Sequence, residues 1–92
     1  MPKNYTERFL ISLGKADPNN TGVKLARLCV DARFSVTGVA QYLKVSRMTI
    51  HTWFKGGKIH KDNITKVKEF IKMVESGFEL GLLPDKDYLK KL

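Results

Sequence analysis

The side chains best suited to chemistry in this chain are donors and cations. Arg47, Met48, His51, Thr52 and Lys55 fall on one face of a helix, while Ile50, Trp53 and Phe54 fall at helical spacing on the other. The first face is polar, basic and wide enough to enter the major groove of a duplex. The second can anchor the helix to a core so that the first stands free. Other chemistries lack their partners. His51 and His60 have no obvious carboxylate or nucleophile beside them, and no Cys-x-x-Cys lies near, so neither acid–base catalysis nor a metal site is expected. Gly56-Gly57 opens no strand–helix unit and reads as a helix stop, not a phosphate loop. No enzyme activity, cofactor or small-molecule substrate is expected.

The charge pattern points the same way. The net charge is +8, and between Lys44 and Lys72 eight basic residues face only Asp62 and Glu69. That segment carries +6 and the rest of the chain +2, so the excess is concentrated around the candidate face. Local positive charge favours a polyanion, nucleic acid before an acidic membrane surface. No apolar run approaches the roughly 20 residues needed to span a bilayer. The N-terminal stretch makes a poor secretion signal, with Glu7 and Arg8 just ahead of a short apolar run. A single cysteine, Cys29, excludes an internal disulfide and fits a reducing cytosol, or a host cytoplasm if the chain is viral. Its place on an apolar helix face predicts a packed thiol.

A chain of 92 residues makes one domain with a small core. Strand signals are weak, and the chain reads as an all-α bundle of about five helices: a short helix and linker over 1–20, a core over 21–75 and an extension over 76–92. Tyr5–Leu13 is a short helix with Thr6 as cap, Phe9, Leu10 and Leu13 on its apolar side and Gly14 as its stop. Asp17-Pro18-Asn19-Asn20 is a turn. Thr21 caps a helix over Gly22–Arg33 that buries Leu25, Leu28, Cys29 and Ala32. Ser35 caps a helix to Leu43, with Val39, Ala40 and Leu43 inward. Ser46 caps Arg47–Lys55. Asp62 or Asn63 caps Ile64–Glu75, which carries a stripe of Ile64, Val67, Phe70, Ile71 and Val74 and is broken or bent at Ser76-Gly77. Asp85 caps a last helix to Leu92.

Two short serine-capped helices joined by a tight turn fit the helix-turn-helix pattern. Ala40 would let the helices approach closely, and Val45 would plug the gap between them. The stretch "SVTGVAQYLKVSRMTIHTWFKGG" resembles the phage lambda repressor and Cro family of helix-turn-helix regulators, over about Gly22–Val74. The family places a small residue at the Ala40 position, an apolar residue at Val45, serine or glycine at Ser46, and T-I-x-x-W where Thr49, Ile50 and Trp53 stand. It usually has glycine where Lys44 stands and often glutamine where Val36 stands; Gly38 within the leading helix costs helix propensity. The stretch is also similar to MerR-type and excisionase-type winged motifs, whose tryptophan is followed by a glycine as Gly57 follows here. Those usually begin with the helix-turn-helix itself, whereas a helix precedes this one. A homeodomain reading fails because its base-reading asparagine would fall at Gly56.

The resemblance implies double-stranded DNA as partner and Arg47, Met48 and Thr52 as base-contacting residues, with His51 on the same face able to serve base or backbone. Arg47 suits a bidentate pair with guanine, and Met48 a thymine methyl. Thr37, Ser46, Lys55, Lys58, His60, Lys61 and Asn63 are the expected backbone contacts, with amides at Asn63 offered to a phosphate. Lys66, Lys68 and Lys72 read as a solvated helix face. A phage or prokaryotic regulator is implied, acting by occupancy and without cofactor, as a symmetric dimer on two half-sites. The apolar residues Phe78, Leu80, Leu82, Leu83, Tyr88, Leu89 and Leu92 are shared between capping the core, with Phe9, Leu10 and Leu13, and forming that dimer. A helix-turn-helix adaptor for another protein, or an excisionase-like or small-terminase-like DNA accessory, are the alternative functions.

Overall fold

The computed structural model describes residues 5–91. It contains five helices, α1 (Glu7–Lys15), α2 (Thr21–Ala32), α3 (Val36–Leu43), α4 (Arg47–Phe54) and α5 (Lys61–Glu79), followed by a 3-10 turn at Tyr88–Lys91. No strand occurs among the described residues. Helix α2 is central, packing against α1, α4 and α5, while α3 packs against α4 and the 3-10 turn.

Each helix start is fixed by a side chain accepting from a first-turn amide, which satisfies a donor the helix leaves open. Thr6 Oγ1 accepts from Phe9 N at 3.1 Å, Ser35 Oγ from Gly38 N at 3.0 Å and Ser46 Oγ from Thr49 N at 3.1 Å. Two caps differ from expectation. Asn20, not Thr21, caps α2, its Oδ1 accepting from Val23 N at 3.1 Å. His60, not Asp62 or Asn63, caps α5, its Nδ1 accepting from Asp62 N at 3.2 Å. In both, the acceptor lies closer to the start of the chain than the expected cap, and the helix gains residues; at α2 the observed asparagine is also the stronger cap by type.

Four helices end alike. The residue after the helix, or one further on, turns left-handed at Arg33 (φ 64°), Lys44 (φ 59°), Gly56 (φ 92°) and Gly81 (φ 75°). The next amide then reaches back five residues: Phe34 N to Cys29 O, Val45 N to Ala40 O, Gly57 N to Thr52 O and Leu82 N to Gly77 O, at 2.8–3.0 Å. This closure satisfies the last carbonyls. Gly14 and Gly77, by contrast, stop nothing. Helix α1 runs through Gly14 to Lys15, and α5 runs through Ser76-Gly77 to Glu79. Gly77 serves packing instead: a Cβ there would lie 2.7 Å from Leu83 Cδ1.

The core contains Leu25, Ala26, Cys29 and Ala32 of α2, Val39, Ala40 and Leu43 of α3, Ile50, Trp53 and Phe54 of α4, and Val67, Phe70 and Val74 of α5. Burying a side chain the size of Ile50 contributes about 1.5–3 kcal/mol. Leu28, Ile64 and Ile71 are only half-buried, and Leu10, expected inward, is exposed. Cys29 is packed and free of any disulfide, and burial pushes its thiol pKa up. Tyr5 donates its hydroxyl to Phe34 O at 2.7 Å; burial first, then the neighbouring Cys29, raises its phenol pKa as well.

The expected last helix does not form. Asp85 instead organises a turn, accepting from Asp87 N at 2.9 Å and from Lys91 Nζ at 2.7 Å. Leu83 is buried, Tyr88 stacks on Phe34 with ring centres 6.3 Å apart, and Phe78 and Leu89 pack partly on the core. Most of the apolar C-terminal residues are thus spent inside the molecule; Leu80 and Leu82 are the exposed ones, and Leu92 lies outside the described residues.

Candidate nucleic-acid interface

Helices α3 and α4 are joined by Lys44, Val45 and Ser46. Lys44 takes the left-handed conformation (φ 59°, ψ 42°) that a glycine would adopt without a steric cost. Its amide reaches Gln41 O at 3.3 Å and the next, Val45, reaches Ala40 O at 3.0 Å. Val45 packs half-buried against the core. Ala40 is 4% exposed, leaving no room for a longer side chain. From α5, Lys66 donates to Leu43 O at 2.7 Å and so closes the end of α3. Lys66 is therefore a half-buried structural cation, unlike the exposed Lys68 and Lys72 with which the sequence groups it.

Helix α4 is seated from behind. Ile50, Trp53 and Phe54 are at most 3% exposed. At its far end, α2 comes backbone to backbone: a Cβ on Gly22 would overlap the Trp53 carbonyl oxygen. Asn20, besides capping α2, donates from Nδ2 to Gly56 O at 3.1 Å. Gly57 is needed by closeness, since a Cβ there would lie 2.7 Å from Thr52 O. The aromatic rings of Tyr5 and Phe9 sit 6.3 and 6.1 Å from that of Phe54, extending the seat to α1. Asn20, Gly22 and Lys66 were not singled out from sequence for these roles. Their partners lie 23–36 residues away for Asn20 and Lys66, and no local pattern signals such contacts.

With that side fixed, Arg47, Met48, His51, Thr52 and Lys55 all lie exposed on one face, Met48 at 78%. Arg47, His51 and Lys55 are in no ion pair with a described residue. The chain from Ala32 to Lys61, which includes all of α3 and α4, has six basic residues and no acidic one. Nothing in that stretch offsets the field of the face.

Several of the expected contact groups are already engaged. Thr52 donates its hydroxyl to Met48 O at 3.1 Å, which leaves it an acceptor oxygen toward a groove. Ser46 Oγ accepts from Thr49 N and shares a 2.9 Å hydrogen bond with Thr49 Oγ1, so its role is capping. The Asn63 amide, expected to meet a phosphate, is engaged within the first turn of α5, as is its neighbour: Asp62 N donates to His60 Nδ1, and Asn63 N donates to His60 O at 2.8 Å. Asn63, half-buried, keeps only its side-chain amide for a ligand. His60 Nδ1 also lies 3.3 Å from Asp62 Oδ2, so that edge of the ring is turned to the start of α5 and Nε2 is the edge left for a ligand. Thr37 in the first turn of α3, and Lys58, His60 and Lys61 after α4, are exposed.

No protein-family model, curated protein or solved structure matches the chain. No helix among the described residues is long and apolar enough to cross a membrane.

Proposed function

We propose that the protein binds double-stranded DNA sequence-specifically, as a helix-turn-helix regulator of transcription of the lambda repressor and Cro kind. The observation that carries this reading is the division of α4, with Ile50, Trp53 and Phe54 locked into the core and Arg47, Met48, His51, Thr52 and Lys55 exposed. Insertion of this face into a major groove brings Arg47, at the helix start, to guanine O6 and N7, and Met48 to a thymine methyl. Thr52 accepts from a base amino group, and His51 serves base or phosphate. Lys55, Lys58, Lys61, Thr37, His60 Nε2 and the Asn63 side chain neutralise or bond flanking phosphates, fixing register. Occupancy of the site is enough to block a polymerase, so the mechanism requires no cofactor. A homodimer would place two such helices on half-sites one DNA turn apart; Leu80 and Leu82 are the exposed C-terminal residues available for it.

In vitro selection on random duplexes at stated salt tests this reading. A defined motif is expected, and a repeat of it spaced by a helical turn marks the dimer. Equal binding of selected and random duplexes would falsify sequence-specific regulation, and absence of duplex binding at low salt would favour a protein adaptor.

A further inference from the structure

Helix α1 meets the end of α4 along an open groove of about 420 Å³. Phe9 and Ala16 of the α1 region, both half-buried, give it an accessible apolar floor, backed by the buried Leu13 and Phe54. The groove persists because α1 is held at both of its ends. Near its start the ring of Phe9 lies 6.1 Å from that of Phe54, and near its finish Leu13 O accepts from Arg27 Nη2 at 3.1 Å. Arg8 and Lys55 border the groove; both are exposed, and neither is ion-paired with a described residue. Among the described residues no acidic side chain lines it.

These features select a ligand by two criteria at once. An uncharged apolar molecule would cover the floor but leave the cations as they are in water. A small anion would meet the cations but bury no apolar area, and exposed ion pairs add little alone. We propose that this groove is a binding site for an aliphatic carboxylate, its chain lying on Phe9 and Ala16, in front of the buried Leu13 and Phe54, and its carboxylate between Arg8 and Lys55. The volume lies within the range of small-molecule sites. Because Lys55 is also a phosphate contact in the proposed function, an occupied groove competes for that cation. On that reading, carboxylate binding opposes duplex binding, and by linkage duplex opposes carboxylate.

The test is an amide NMR titration of the whole chain, without DNA, using decanoate, acetate and decanol as probes. Saturable shifts at Phe9, Ala16 and Phe54 are expected with decanoate at lower concentration than with either of the others. Arg8→Gln should weaken decanoate about threefold, the size of one exposed charge–charge contact, with thermal unfolding unchanged. Ser12→Phe, a substitution at a lining residue on α1, should occlude the groove and abolish saturation. If that variant misfolds, the Arg8→Gln comparison decides alone. Decanol binding as tightly as decanoate, acetate as tightly as decanoate, shifts centred elsewhere, or an unchanged Arg8→Gln affinity each overturn the proposal. Decanoate should then weaken the wild-type protein's hold on a duplex more than that of Arg8→Gln. If no duplex is bound at all, the DNA reading fails while the groove stands on its own titration.

Discussion

Helices α3 and α4 are each eight residues long, and each opens on a serine cap. Their outer faces differ. Helix α3 turns Thr37, Gln41 and Tyr42 to solvent and carries no charge within its bounds, whereas α4 turns out Arg47, Met48, His51 and Thr52, with Lys55 at its end. Their supports differ too. Helix α3 is pinned through its side chains and by Lys66 on its last carbonyl, while α4 is held additionally by α2 backbone at Gly22 and by Asn20 on Gly56. A helix that mainly packs, with one phosphate contact proposed at Thr37, can shift slightly at little cost. One that must present side chains to a partner in fixed register cannot, because bidentate base contacts tolerate little displacement. The heavier bracing of α4 fits the proposed task.

Removing the brace should have the largest effect. Gly22→Ala drives a Cβ into the Trp53 carbonyl, which cannot move without unseating α4, and should cost about 2–3 kcal/mol in urea unfolding. An unchanged midpoint would show that the two backbones are not in contact. Arg47→Ala should do the opposite. Stability should stay within about 0.5 kcal/mol, while preference for the selected site over random duplex falls by about 1–3 kcal/mol. Lys55→Ala should instead weaken every duplex alike and lower the salt slope by about one.

Smaller effects are expected at the turn that separates the two helices. Lys44→Gly should stabilise the protein by about 0.5–1 kcal/mol, since glycine takes the left-handed angles without the Cβ clash and the exposed Lys44 side chain is in no ion pair with a described residue. Gly56, already glycine at the corresponding end of α4, should lose stability on the reverse exchange, Gly56→Lys. Smallest is the C-terminal turn, far from this comparison. Lys91, then the Asp87 amide, hold the Asp85 carboxyl below its ordinary pKa. Its contribution is therefore present above the ordinary carboxylate value and is lost as pH falls through the lowered one. Asp85→Asn should speed amide exchange at Tyr88 at neutral pH and make no difference at strongly acid pH.

The α3–α4 pair was legible in the sequence because its signals are local. Ser35 and Ser46 cap helices whose apolar residues repeat at helical spacing, and Gly56 closes the second. The division of α4 into a buried and an exposed face follows from that spacing alone. Residues 76–91 were not legible in the same way. Gly77 reads as a breaker, but it lies inside α5 because Leu83 folds back onto it, a contact between segments that no local pattern encodes. Asp85 reads as a cap, yet its carboxylate is taken by Lys91 and the Asp87 amide in a tight turn. Within the candidate interface, exposure was readable but prior commitments were not. The hydrogen bonds of Ser46, Thr52 and the Asn63 amide became visible only with the neighbouring atoms in place.

The central claim is that the outer face of α4 meets the duplex. Amide NMR shifts recorded while a selected duplex is titrated into the protein address it most directly. The account predicts that the largest changes fall on Arg47 to Lys55, with smaller ones at Thr37 and from Lys58 to Asn63, and that Arg47→Ala narrows the difference between selected and random duplex by about 1–3 kcal/mol. Shifts centred on α1 or on residues 80–91, with α4 silent, would contradict it.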